Sequence, residues 1–164
     1  MLRKKGFGKS SFENNENLKA VKNLMNEGKI SEAEELLLSL QARKNLNHIG
    51  FHLLATIYKF KSEHLIALKL LKQSIKLNPF YAEAYADIGA IYIEINNLSM
   101  AIGYLEKSLE IKPEGLGPNI NLGLVYRKLG KYKIALKYLY QAIKINPNDS
   151  NLNFNDTYWR KKTW

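Results

Sequence analysis

The sequence predicts an all-α fold of four stacked helical hairpins, and three observations predict it. Prolines stand at 79, 113 and 147, spaced 34 residues apart, and each closes a similar phrase: Lys76-Leu-Asn-Pro79, Glu110-Ile-Lys-Pro113 and Lys144-Ile-Asn-Pro147. Stepping by the same interval aligns Ala33, Ala67, Ala101 and Ala135, and likewise Leu37, Leu71, Leu105 and Leu139. Within a copy, apolar residues recur at helical spacing twice, with a break between the two runs. Self-similarity at such a period marks a stack of supersecondary units, each too small to bury its apolar face alone.

The elements follow in chain order within copies at 14–47, 48–81, 82–115 and 116–149. In the first helix of each copy Ala20, Leu54, Ile88 and Leu122 align, followed by Val21, Ala55, Gly89 and Gly123, and then by Leu24, Tyr58, Tyr92 and Tyr126. In the third copy Tyr85, Ile88, Gly89 and Tyr92 make one helix face. The turn comes next, with Gly28, Ser62, Asn96 and Gly130 in register; glycine there accommodates a positive φ after a helix. The second helix of the third copy is marked by Ala101, Leu105, Ser108, Leu109 and Ile111. The proline after each second helix ends it, since proline cannot continue a helix and restricts the residue before it. The small residues let the two helices of a hairpin approach closely, and the Tyr and Leu positions fill the space between hairpins. Residues 1–13 are expected to be a flexible basic arm. Residues 150–164 begin like a fifth copy and then lose register, which suits either a short cap carrying Leu152, Phe154, Tyr158 and Trp159 or a partner-contacting tail.

These copies resemble the tetratricopeptide repeat, a 34-residue helix–turn–helix family. Copy three supplies Tyr85, Ile88-Gly89, Tyr92, Ala101, Leu105 and Pro113, departing with Asn96 for Gly and Ser108 for Ala. Copy four supplies Leu122-Gly123, Tyr126, Gly130, Ala135, Leu139, Ala142 and Pro147, departing with Asn119 at the aromatic position. Copy two has Phe51, Leu54-Ala55, Tyr58, Ala67, Leu71 and Pro79. Copy one is the most degenerate, with Asn17 for the aromatic and Asn45 for the proline, as suits an end cap. The resemblance implies a right-handed α-solenoid with a short C-terminal capping segment. The pentatricopeptide repeat, an RNA reader, has a period one residue longer, and the unbroken spacing of the prolines argues against it.

Composition narrows the chemistry. With no cysteine, disulfides, thiol catalysis, cysteine-bearing zinc fingers and cysteine-ligated iron–sulfur clusters are excluded. No apolar run is long enough to span a membrane, and the basic N-terminus lacks an apolar stretch behind it, so a soluble, cytoplasmic protein is expected. The net charge of +10 is unevenly spread: +3 over residues 1–47, +4 over 48–81, −4 over 82–115, +5 over 116–149 and +2 over 150–164. An acidic third copy interrupts any basic stripe, and nucleic-acid binding is therefore disfavoured. The phrase Gly6-Phe-Gly8-Lys9-Ser10 lacks the earlier glycine and the preceding strand of a phosphate-binding loop. His48 and His52 share a helix face, but no third ligand follows at suitable spacing, so no metal site and no cofactor is expected. No catalytic constellation is evident.

The resemblance implies that the first helices line a concave surface, with inward residues at four positions of each copy. These are Leu18, Lys22, Met25 and Asn26 in copy one. Copy two gives His52, Thr56, Lys59 and Phe60, copy three gives Ala86, Ala90, Ile93 and Glu94, and copy four gives Ile120, Leu124, Arg127 and Lys128; all of these but Phe60 and Glu94 are the candidate groove residues. Small and apolar residues flanked by cations suit a protein or peptide with apolar anchors and acidic groups. Packing between hairpins is the competing role for Ile93 and Ile120. The carboxylate clamp of some family members does not match in either register, and Glu83 and Asp87 would repel an acidic tail. The function expected is a non-catalytic interaction scaffold. The alternative is the repeat region, or a truncated relative, of a transferase of the protein glycosyltransferase type. Within these 164 residues, four copies are expected to leave no room for a separate catalytic domain.

Overall fold

The computed structural model describes residues 7–147, with side chains from residue 15 onward. The chain divides into two compact units, Met1–Pro79 and Phe80–Trp164. Among the described residues there are eight helices and no strand. The first unit holds α1 (Phe7–Asn26), α2 (Ile30–Ala42), α3 (His48–Phe60) and α4 (His64–Leu77); the second holds α5 (Ala82–Glu94), α6 (Leu98–Ile111), α7 (Leu116–Lys128) and α8 (Tyr132–Ile145). The helices α3, α5 and α7 begin 34 residues apart, and so do α2, α4, α6 and α8. The helix α1 begins at Phe7, within the stretch expected to be an arm, and runs 20 residues against 13 in the other first helices. Residues 1–6 of that arm, and the whole expected cap at 150–164, lie outside the described residues.

The turns inside the hairpins share one geometry. Gly28, Ser62, Asn96 and Gly130 all have φ between 60° and 76°. At each, two backbone bonds close the helix end: Ser62 N–H donates to the Lys59 carbonyl and Glu63 N–H to the Tyr58 carbonyl, both at 2.9 Å, and the other three turns repeat the pattern. This is the Schellman arrangement, which satisfies carbonyls the helix leaves without partners. Second helices end differently. Before Pro79, Pro113 and Pro147, the residues Asn78, Lys112 and Asn146 are pushed to φ of −139°, −134° and −137°, the extended backbone that a following proline demands. Without a proline after it, α2 stops on a left-handed residue instead, Lys44 at φ 54°.

Close approach of the helices in a hairpin is visible at the glycines. A Cβ on Gly89 would stand 2.6 Å from Leu105 Cγ, and one on Gly123 would stand 2.3 Å from Leu139 Cγ. The aligned alanines 33, 67, 101 and 135 are wholly buried, as are the four aligned leucines. Each such leucine contributes roughly 2 kcal/mol through apolar burial. Ser74 and Ser108 are buried at equivalent positions, and each hydroxyl donates to the first residue of the preceding helix, His48 O at 2.8 Å and Ala82 O at 2.9 Å. Ser108 thus departs from the family's alanine while spending its hydroxyl on a helix-to-helix bond.

The first hairpin is offset. Leu18 and Val21 are buried, whereas Ala20, aligned with the buried Leu54, Ile88 and Leu122, is exposed. Val21 occupies the position held by Ala55, Gly89 and Gly123 and is wholly buried. Leu18, an inward position by the repeat pattern, is core: its Cδ2 lies 3.3 Å from where a Cβ on Gly50 would be. Between α2 and α3, the Glu34 carboxylate accepts from Lys61, whose ammonium holds it below the usual carboxylate range.

Candidate functional site

Seven of the ten candidate groove residues belong to the second unit, on α5 and α7. The other three, His52, Thr56 and Lys59, follow one another at four- and three-residue spacing along α3 of the first unit. That spacing gives them one helix face, and all three are half-buried. The Thr56 hydroxyl is turned onto its own helix, donating to the His52 carbonyl at 3.0 Å. His48, one turn before His52, meets Asn78 across a 3.2 Å contact from ring Nε2 to Nδ2. Burial, and then the neighbouring His52, lower its pKa. Among the described residues no group of three or more His, Asp or Glu is placed to hold a metal ion.

In the second unit, Ile93, Leu124, Arg127 and Lys128 come together around a recess of about 370 Å³, completed by Leu98 and Val125. Leu124 is 39% exposed and Val125 only 2%, so the valine belongs to the floor and the leucine to the open surface. Ala86, Ala90 and Ile120 are half-buried on the same two helices and do not line the recess. The groove positions predicted from first helices include neither Val125 nor Leu98. Leu98 is the first residue of α6, a second helix, and its only signal in the sequence is an apolar residue directly after Asn96-Asn97.

Arg127 and Lys128 occupy the last turn of α7, where cations complement the helix dipole. Lys128 Nζ donates to Asn96 Oδ1 at 2.7 Å. Asn96 sits in the α5–α6 turn at φ 60°. The next residue, Asn97, caps α6 by accepting from Met100 N–H at 3.3 Å. Glu83, which the carboxylate-clamp register would require to be a cation, is exposed and accepts from Lys112 at 3.1 Å.

Elsewhere along α7, an aromatic pair fixes the helix against its neighbours. Tyr126 stacks on Tyr138 of α8 with ring centroids 5.7 Å apart and an interplanar angle of 1°. Both hydroxyls donate to Glu106 Oε1 of α6, at 3.2 and 3.3 Å. Burial, reinforced by the Glu106 charge, raises the Tyr126 phenol and pushes Tyr138 up to about 12. Tyr92 and Tyr104 repeat the stack 34 residues earlier, at 5.5 Å. Helix α7 is thus held by Leu122, Gly123 and Tyr126 while Leu124, Arg127 and Lys128 stay at the surface.

Known proteins carry the same architecture. Family models described as tetratricopeptide repeat match residues 82–114 and 120–149. The crystal structure of MamA shares 26% identity at a TM-score of 0.73, over 84% of this chain and 81% of that one. The structure of YrrB, described as a TPR protein with an unusual peptide-binding site, shares 22% identity at a TM-score of 0.69, over 88% of this chain and 73% of that one. PilF of Pseudomonas aeruginosa shares 16% identity at a TM-score of 0.82, over 93% of this chain and 70% of that one. Comparison with curated protein sequences gives no match. The fold class is therefore the all-α helical-repeat solenoid. Within that class, residues 82–114 and 120–149 match the tetratricopeptide repeat. Repeats and neighbours together support a protein-interaction scaffold. Among the described residues no helix is long and apolar enough to cross a membrane.

Proposed function

We propose that the protein is a non-catalytic adaptor that holds a partner's peptide segment at the recess between α5 and α7. The observation that carries this reading is the recess itself, lined by the apolar Ile93, Leu98, Leu124 and Val125 together with the cations Arg127 and Lys128. The recess is half-open to solvent and mostly apolar, with polar groups beside it, a form that admits one side chain of a peptide. Apolar walls suit an aliphatic anchor residue, and the two cations suit a carboxylate beside it. Peptide binding in YrrB, as its structure is described, supports the same use of the fold. Ala86, Ala90 and Ile120 extend the surface along α5 and α7, and His52, Thr56 and Lys59 offer a second face on α3.

The test is selection of a random peptide display library on the full chain. Enriched peptides should pair an aliphatic residue with a nearby Asp or Glu. Enrichment of no peptide, or of peptides without an apolar anchor, would sink the reading.

A further inference from the structure

The four hairpin turns invite comparison, because all adopt the same left-handed backbone with different residues. Gly28 and Gly130 take it without steric cost, whereas Asn96 adopts it with a side chain. That side chain is engaged: Asn96 Oδ1 accepts from Lys128 Nζ at 2.7 Å, across to the last residue of α7. Other lysines of the chain meet carboxylates, Lys61 on Glu34, Lys107 on Glu110 and Lys112 on Glu83. A carboxylate cancels the charge it holds. The amide of Asn96 is a neutral acceptor, which fixes the ammonium beside the recess and leaves its charge available to an incoming anion. Two residues on, Leu98 closes the recess from the start of α6.

We infer that the α5–α6 turn sets the specificity of the recess, Asn96 as a positioning residue that holds Lys128 for a partner carboxylate, and Leu98 as the wall that limits the size of the apolar anchor. The inference rests on the recess being the binding site. It places specificity on a turn and a second helix, outside the first-helix positions that define the concave surface.

The experiment uses the full chain, the peptides enriched from a random display library on the wild type, and amide versions of the same peptides with Asp or Glu replaced by Asn or Gln. The wild type should prefer the acidic form by about fivefold, the effect of one exposed charge contact. Asn96→Gly should melt at the same temperature or higher, since glycine suits the left-handed turn, while its acid-over-amide preference collapses. A purely structural role for Asn96 would move the melting temperature and leave that preference intact. Leu98→Ala should shift the selected anchor from aliphatic toward aromatic residues. An undiminished acid preference in Asn96→Gly, or an unchanged anchor in Leu98→Ala, overturns the inference while the site stands. Equal binding of the same peptides to Leu124→Glu removes the site itself, and the inference with it.

Discussion

At Gly123 one added methyl group meets Leu139 at 2.3 Å, whereas at Gly103 it meets nothing within 4 Å. The two glycines lie in helices of the same unit, and their alanine variants should move stability in opposite directions. Gly123→Ala forces apart two helices packed around a buried leucine and should destabilise by about 1–3 kcal/mol. Gly103→Ala, exposed within α6, should stabilise by about 1 kcal/mol through helix propensity alone. Urea denaturation of both variants checks the pair, and equal shifts would contradict the close approach of α7 and α8. The sequence separates these glycines by register, since Gly123 aligns with Gly89 and Ala55 while Gly103 aligns with no small-residue column. It does not reveal what Ser108 does. Read against the family pattern the serine is a departure, and only the 2.9 Å bond to Ala82 O shows its hydroxyl satisfied. A buried hydroxyl without such a partner would cost about 1–3 kcal/mol.

Helices in this chain are stopped by two devices, and one was more legible than the other. The prolines at 79, 113 and 147 announce the ends of α4, α6 and α8, because proline acts through its own ring and needs no distant partner. The end of α2 rests on Lys44 in a left-handed conformation, which a lysine in the sequence does not advertise. The offset of α1 was hidden for a similar reason: whether Ala20 or Val21 faces the core depends on how closely two helices pack. Between helices, Tyr126 and Tyr138 share Glu106, and this gives a pH signature. Their phenols are raised from the ordinary value of 10, Tyr138 to about 12. The folded state therefore holds these protons more tightly than the unfolded chain. That stability is complete below pH 10 and is lost as the pH climbs through the raised values. Melting temperature followed across this alkaline window should fall for the wild type and fall less steeply for Tyr138→Phe. The same slope in both would detach the Tyr138–Glu106 contact from stability.

For the whole molecule, period and composition gave the helical-repeat class, and the second unit carries it most plainly, with family matches over 82–114 and 120–149. The recess was only partly legible. Ile93, Leu124, Arg127 and Lys128 were found because inward positions recur with the repeat, and the structure gathers them at one recess. Leu98 and Val125 were missed because a cavity is made by the meeting of elements, and its walls do not respect the periodicity of any one of them. Lys69, Lys72 and Lys76 are exposed on α4, and Lys133, Lys137 and Lys144 are exposed on α8, the second helices of their hairpins. The claim that the recess is where a partner binds is tested most directly at Leu124, which is 39% exposed. Calorimetric titration of a library-selected peptide into the wild type and into Leu124→Glu, with the melting temperature of each, is the measurement. The account predicts at least about a tenfold loss of affinity, some 1.4 kcal/mol, with melting nearly unchanged. Unaltered affinity, or a variant that unfolds, would contradict it.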